Sequence, residues 1–155
     1  MKKHILLSDY LKVADIHAAR LKGSLEQVVH WMPVSANGLS QLSLDQIAFL
    51  DMMTMRFGKL QDIMGAKIFG LILDILGEDA ISLIDKLNKL ERLDYIDNVN
   101  WWMDVREIRN QVMHDYPDDY DAIFSHLAML VAKANELLLF WEALKNKIAI
   151  LKKLP

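Results

Sequence analysis

The sequence contains no cysteine, only three prolines and only six glycines in 155 residues. The absence of cysteine excludes disulfide bonds, thiolate metal sites and a cysteine nucleophile, and it is typical of a reducing compartment such as the cytoplasm. Few prolines and glycines mean few turn signals, whereas 53% of the residues are hydrophobic. This balance is typical of helices that pack together with short connections.

Positive charge is also scarce, since the formal net charge is −3 at pH 7. Sequence-independent affinity for nucleic acid comes largely from lysine and arginine side chains that neutralise phosphates. Any contact with RNA must therefore be local, or it must be built by the assembly of several copies.

Long uninterrupted hydrophobic runs are missing. The apolar patch at 5–7 is too short for the hydrophobic region of a signal peptide. The runs 127–132 and 137–141 are ended by Lys133 and Glu142, far short of the roughly 20 residues that a membrane span needs. We therefore predict no secretion signal, no membrane association and a cytoplasmic location.

Strand signals are nearly absent, because the sequence has no sustained alternation of apolar and polar residues. Apolar residues recur three or four positions apart, which predicts helices. The expected helices are Ser8 to Pro33, Ser43 to Gly77, 79–93, 99–114 and 118 or 120 to 152, with a loop at 33–43 and a turn at 94–98. Four or five helices with short connections predict an all-α, up-down antiparallel bundle that forms a single domain over residues 1–155.

The second predicted helix has the clearest start signal. Ser43 followed three residues later by Gln46 is a capping-box pattern, in which the two side chains satisfy free backbone N–H groups. The apolar positions expected to face the core are Ile47, Leu50, Met53, Phe57, Leu60 and Met64.

Polar side chains concentrate near the end of the fourth predicted helix. They are Asp104, Arg106, Glu107, Arg109, Asn110, Gln111, His114, Asp115 and Tyr116. Residues four apart share a helix face, so Arg106, Asn110 and His114 form one stripe, with Arg109 offset from it. Because Pro117 has no N–H to donate, the helix should end before it and leave His114 and Tyr116 exposed.

These side-chain types suit the cleavage of RNA. RNA carries its own nucleophile, the 2′-hydroxyl, so cleavage needs a proton shuttle near neutral pH and positive charge at the phosphate. Histidine and arginine supply both without a metal. The other histidines show no short ligand spacing with His114, and neither a zincin motif nor a P-loop nor a nucleophile elbow occurs. We predict no metal site and no cofactor.

The simplest alternative is that Arg109, Asn110 and His114 form only a solvated helix face. An arginine and a histidine five residues apart are weak evidence against it. Requiring also an asparagine directly after the arginine and a tyrosine two residues after the histidine lowers the chance expectation to the order of 10⁻⁴. The full pattern therefore favours a functional site.

The pattern Arg109-Asn110-x-x-x-His114-x-Tyr116 resembles the R-x4-H-x-Y signature of HEPN-domain toxins of the HepT type, which are paired with small MNT nucleotidyltransferase antitoxins. The similarity covers most of residues 44–125. It includes Arg56-Phe57-x-Lys59-Leu60-Gln61, Ile75-Leu76-Gly77, Lys86-Leu87-x-x-Leu90 and 101–107. Met113 and Asp115 replace a small apolar residue and a glutamate that are typical of the family, which bears on substrate preference more than on catalysis.

The resemblance implies a HEPN bundle that forms a homodimer, with two copies of Arg109 and His114 in one RNA-cleaving cleft. It implies a metal-independent endoribonuclease, the toxin of a type VII HEPN/MNT toxin–antitoxin pair, with transfer RNA as one candidate substrate. His114 would be the acid and base, Arg109 the phosphate clamp and Asn110 a positioning group. Tyr116 corresponds to the tyrosine that the antitoxin adenylylates to silence the toxin.

Two residues of the second predicted helix are supporting candidates. Arg56 would supply further positive charge, with Asp51 expected nearby on the same helix face; for both, a structural ion pair is an equally good interpretation. The main alternative function is a non-catalytic nucleotide- or partner-binding subunit of a nucleotidyltransferase, since one fold hosts several functions. A purely structural helical adaptor explains the apolar excess but not the positions of Asn110 and Tyr116.

Overall fold

The computed structural model describes residues 2–153, and every regular element in that range is helical. The elements are α1 (Lys2–Trp31), α2 (Ala36–Leu39), α3 (Leu44–Ile63), a π-helical segment (Met64–Ile68), α4 (Phe69–Ile75), α5 (Leu83–Arg92), α6 (Val99–Met113) and α7 (Tyr120–Leu151). The all-α prediction is confirmed. The four long members of the bundle are α1, the continuous α3–α4 unit, α6 and α7, and α5 is a shorter fifth.

Two predicted helix starts were wrong. Helix α1 begins at Lys2 and not at Ser8, because Leu7 is fully buried and its contacts with the core extend the helix towards the N-terminus. Helix α5 begins at Leu83, four residues after the predicted start, because Ser82 caps it: Ser82 Oγ accepts a hydrogen bond from the N–H of Asp85 at 3.2 Å.

The capping box at the start of α3 is confirmed. Ser43 Oγ accepts from the N–H of Gln46 at 3.2 Å, and Gln46 Oε1 accepts from the N–H of Ser43 at 2.9 Å. The apolar positions from Met53 onward are buried as expected, but Ile47 is 41% exposed. The reason is that the first turns of α3 border an open groove, described below, and not the closed core.

Helices α3 and α6 run antiparallel. A Cβ atom at Gly58 would lie 3.6 Å from Met113 Sδ, and one at Gly65 would lie 3.2 Å from Trp102 Cζ2. The later residue of α3–α4 therefore meets the earlier residue of α6. This inverted pairing is what the predicted up-down bundle requires.

Helix α7 runs antiparallel to α6 in the same way. Near the start of α6, Trp101 Nε1 donates to Glu136 Oε1 at 3.3 Å, whereas Asp115, just beyond the end of α6, is bonded to His126. The inward side chains of α7 recur every three or four residues and complete the core: Leu127, Leu130, Ala134, Leu137, Trp141, Leu144, Ile148 and Leu151.

The π-helical segment adds one residue to a turn in the middle of the α3–α4 unit. From α3 to the first residue of the segment, the buried residues Phe57, Leu60 and Met64 are spaced by three and four positions. Through the segment and into α4, Met64, Ile68 and Ile72 are spaced by four and four. The extra residue keeps α4 facing the core after α3.

Among the described residues, α7 is one helix that is long and apolar enough, by length and composition alone, to cross a membrane. Its most apolar 18-residue window has a mean hydropathy of 1.4, and 22% of that window is buried. The uninterrupted apolar runs within α7 are much shorter than this window, because Lys133 and Glu142 end them. The core helix of a bundle passes the same test, so the feature is weak evidence, and the absence of membrane association stays a prediction.

Candidate functional site

The motif segment, residues 109–116, straddles the end of α6. The helix is fixed at its start by Asn98, whose Oδ1 accepts from the N–H groups of Asn100 at 2.7 Å and Trp101 at 3.3 Å. It ends at His114, the C-cap, whose N–H donates to the carbonyl of Gln111 at 3.2 Å. The motif therefore places its arginine on the last turn of a helix and its histidine and tyrosine beyond it.

Arg109 is held in place by two acceptors. Its Nη2 donates to Asp62 Oδ2 at 2.8 Å, and its Nη1 donates to Asn110 Oδ1 at 3.1 Å. The side chain is 27% exposed, and its Nε is buried without a hydrogen-bond partner. Helix α3 packs against the aliphatic part of this side chain at Gly58, where a Cβ would lie 3.8 Å from Arg109 Cγ, an ordinary van der Waals distance. The positioning role predicted for Asn110 now has a specific contact.

Asp62 is a site residue that the sequence analysis missed. Its carboxylate is 48% exposed and lies on α3, opposite α6. The signal that could have found it is helical spacing: Asp51, Met55, Gly58 and Asp62 fall within about 60° of one another on an ideal helix and so form one stripe. The stripe faces the motif segment because Gly58 and Asp62 both contact Arg109.

His114 and Tyr116 are exposed, as expected, and Tyr116 is 75% exposed. Neither side chain makes a hydrogen bond within the described part of the chain. The imidazole and the phenol are therefore accessible from solvent.

Asp115, which lies between them, is directed towards α7. Both of its oxygens lie 2.9 Å from His126 Nδ1, and the two side chains are only 14% and 24% exposed. An ionised carboxylate only accepts hydrogen bonds, so His126 Nδ1 carries the hydrogen. This contact ties the loop that carries His114 and Tyr116 to α7, and the sequence analysis did not anticipate it.

Arg56 lies away from the motif segment. It is about 140° around α3 from Asp51 and turns towards α1, where its Nη1 contacts His17 Nδ1 at 2.9 Å. Arginine has no acceptor, so the neutral His17 accepts this bond. The pKa of His17 is lowered below its usual value, mainly by burial. The positive charges of Arg56, Lys59 and Arg20 lower this pKa further. Within one chain the structure does not bring Arg56 to Arg109.

Asp51 lies on the motif-facing stripe, about 10 Å along α3 from Gly58. It is exposed and borders a groove of about 560 Å³ between α2, α3, the end of α6 and the start of α7. The groove is lined mostly by apolar side chains, which include Leu39, Leu42, Leu50, Met55, Val112, Ile123, Leu127 and Leu130. Met113 and Asp115, the two neighbours of His114, also line it, so the groove adjoins the motif segment.

No group of three or more histidine, aspartate or glutamate side chains that could hold a metal ion occurs within residues 2–153. Comparisons of the chain with protein-family models, with curated proteins and with solved structures found no match. The resemblance to the HEPN family therefore depends on the motif segment and its flanking residues alone, and membership of that family stays a prediction.

Proposed function

We propose that this chain is a metal-independent endoribonuclease of the HEPN type, the toxin of a type VII pair, which acts on RNA in the cytoplasm. The observation that carries the proposal is the arrangement of the motif segment. Arg109 is held near the end of α6 by Asp62 and Asn110, while His114, five residues further along the chain, is exposed and makes no hydrogen bond within residues 2–153.

In the proposed reaction the 2′-hydroxyl of RNA attacks the adjacent phosphorus. A neutral His114 takes the 2′-hydroxyl proton, the new bond from the 2′-oxygen to phosphorus forms, and the bond to the 5′-oxygen breaks. The 5′-oxygen leaves with a proton supplied by an imidazolium, which leaves a 2′,3′-cyclic phosphate and a 5′-hydroxyl. Two histidines, one in each subunit of a dimer, would supply the base and the acid.

Arg109 would stabilise the charge that develops on the phosphate oxygens. A guanidinium has five N–H donors, and Asp62 and Asn110 account for two of them. A fixed donor costs little reorganisation when the charge appears, which is the main source of such stabilisation.

Dimerisation would bring two such centres together and concentrate positive charge that the acidic chain otherwise lacks. Exposed apolar side chains around the motif segment support this part of the proposal. Met55 is 43% and Met113 is 47% exposed. Methionine is enriched at protein interfaces, so these two residues suit a subunit contact.

The exposed phenol of Tyr116 supports silencing by adenylylation. The phenol oxygen would attack the α-phosphorus of ATP bound to an MNT-type nucleotidyltransferase partner, with pyrophosphate as the leaving group. The product would place a nucleotide and a negative charge two residues from His114, where both would block RNA.

The test is cleavage of total RNA and transfer RNA in EDTA, with Tyr116 shown by intact mass to be unmodified. His114→Ala and Arg109→Ala should each lower the rate by about 10²- to 10⁴-fold. Arg106→Ala is the matched control, since Arg106 is an exposed arginine on the same helix. An unmodified wild type that does not cleave, or His114→Ala cleaving at the wild-type rate, would overturn the proposal.

A second candidate is a non-catalytic subunit that binds a nucleotide or a nucleotidyltransferase. It is favoured by the ion pair of Arg109 with Asp62, which balances the charge of this arginine without a substrate. This candidate predicts no cleavage by unmodified protein together with a stable complex with the nucleotidyltransferase.

A further inference from the structure

The groove beside the motif segment has an unusual combination of side chains. Its walls are mostly apolar, and its titratable side chains are Asp51, Asp115, Tyr120 and His126, with no lysine or arginine among the lining residues. The cationic Arg109 is on α6 and does not line it. Phosphate would therefore find no counter-charge inside the groove, and its carboxylates would repel a phosphate.

The two carboxylates differ in what they can still accept. Both oxygens of Asp115 are within hydrogen-bond distance of His126, and this pair is largely buried. Asp51 is exposed and makes no hydrogen bond or ion pair within the described residues. Asp51 is thus the free acceptor at the edge of an apolar groove.

A nucleobase fits these properties better than a phosphate does. Its faces are apolar, and its edge carries N–H donors that carboxylates accept. Proteins that read unpaired RNA take bases out of the stack, place them against aromatic side chains and bond their Watson–Crick edges. Tyr120, also in the lining, offers such an aromatic face at 40% exposure. A volume of about 560 Å³ lies within the usual range of sites for ligands of this size.

We propose that the groove binds an unstacked base of the RNA next to the cleaved phosphate, and that Asp51 selects guanine there. Guanine presents two adjacent N–H donors on its Watson–Crick edge, which match the two oxygens of one carboxylate. Uracil presents one N–H between two carbonyl oxygens, which the carboxylate repels. This proposal depends on the proposed ribonuclease function, since only then does the groove adjoin a reacting phosphate.

The experiment uses DNA oligonucleotides with a single ribonucleotide, so that one phosphate alone can be cleaved. The base on either side of that phosphate is varied among all four, and kcat/KM is measured for wild type and for Asp51→Asn. We expect the wild type to prefer guanine on one side by about tenfold or more, which is the size of one good bidentate contact. Asp51→Asn should reduce that preference to within about twofold.

Asp104→Asn is the matched control, because Asp104 is an exposed aspartate on α6 that does not line the groove. It should keep the wild-type preference. A second variant, Thr54→Phe, fills the groove from α3 and should also remove the preference.

The outcomes separate this proposal from the one it depends on. Failure of unmodified wild type to cleave the oligonucleotides, total RNA and transfer RNA alike overturns the ribonuclease function itself. Cleavage without a guanine preference, or with the same preference in wild type and Asp51→Asn, overturns the groove proposal and leaves the ribonuclease intact. Loss of dimer or partner binding in Thr54→Phe with an unchanged base preference would mean that the groove holds a protein segment instead.

Discussion

Asp62 holds Arg109 through an ion pair, and in the proposed ribonuclease the charge of Asp62 would oppose the substrate. At about 7 Å in water, one unit charge acts on another with about 0.6 kcal/mol, which corresponds to about threefold in binding. Asp62→Asn keeps an acceptor for Arg109 Nη2 but removes this charge. In the proposed ribonuclease, this change should lower the KM for RNA by about threefold at low salt.

The control for Asp62→Asn is Asp74→Asn, an exposed aspartate on α4. Asp62→Ala, which removes the acceptor as well, should lower kcat in addition, because Arg109 is then held by Asn110 alone. If Asp62→Asn and the control have the same KM, Asp62 does not compete with the substrate.

His17 should make the stability of the bundle depend on pH. Its pKa is lowered from the usual 6.5, by burial first and then by the charges of Arg56, Lys59 and Arg20. Below about pH 6.5 the unfolded chain therefore binds more protons at this site than the folded chain does. The contribution of neutral His17 to the free energy of unfolding is fully present above about pH 6.5 and is lost as the pH falls.

Urea unfolding at about pH 7.5 and about pH 5.5 measures this effect. His17→Gln keeps an acceptor for Arg56 but does not titrate, so its free energy of unfolding should fall less on acidification than that of wild type. His30→Gln, at an exposed position of the same helix, is the control. Equal pH dependence in wild type and His17→Gln would contradict the prediction.

At the scale of the helices, alanine substitutions at two glycines should change the free energy of unfolding in opposite directions. Gly65 lies in the π-helical segment, and a Cβ there would lie 3.2 Å from Trp102 Cζ2. Gly23 lies in α1, and a Cβ there would have nothing within 4 Å. Gly65→Ala should destabilise the protein by about 1–2 kcal/mol through overpacking against a buried tryptophan. Gly23→Ala should stabilise it by about 0.5–1 kcal/mol.

Denaturant unfolding of both glycine variants tests this pair, and each serves as the control for the other. A stabilised Gly65→Ala would mean that Trp102 moves aside at little cost. A destabilised Gly23→Ala would mean that this part of α1 is covered in solution.

The helices themselves could be predicted because apolar spacing and capping residues are local signals. The start of α1 could not, since it depends on what Leu7 packs against. The π-helical segment also escaped prediction, because spacings of four and four, as at Met64, Ile68 and Ile72, fit a regular helix nearly as well. Local patterns thus predicted the longer helices but not α2, which lies in the predicted loop at 33–43. Tertiary contacts set the start of α1.

The candidate site was predicted only in the part that one helix carries. Residues 109–116 are contiguous, so their pattern is visible in the sequence. Asp62 and His126 become partners of this segment only when α3 and α7 pack beside α6. Arg56 shows the opposite case. It is close to Asp51 in the sequence and was predicted to support the site, but it faces α1 and contacts His17.

For the whole molecule, assembly is the property that decides whether the proposed cleft exists. We expect a dimer in solution, measurable by sedimentation or light scattering. Met55→Glu, which places a charge among the exposed apolar side chains beside the motif segment, should produce a monomer and lower RNA cleavage in parallel. Met129→Glu is the matched control, since the two methionines are 43% and 45% exposed and Met129 lies on α7.

A wild type that cleaves RNA as a monomer would show that one copy of Arg109 and His114 is sufficient. A dimer that survives Met55→Glu would place the interface on another face of the bundle.

The extra residue in the Met64–Ile68 turn has a consequence for evolutionary comparison. A single-residue deletion there would turn the segment into regular α-helix without rotating the flanking halves, so a related chain could be one residue shorter with the same faces inward. Aligned to such a chain without a gap at this turn, Asp62 would still match its counterpart while every residue from α4 onward would be displaced by one. The motif would then appear out of register with the helix that supplies its carboxylate, although the two would still meet in space.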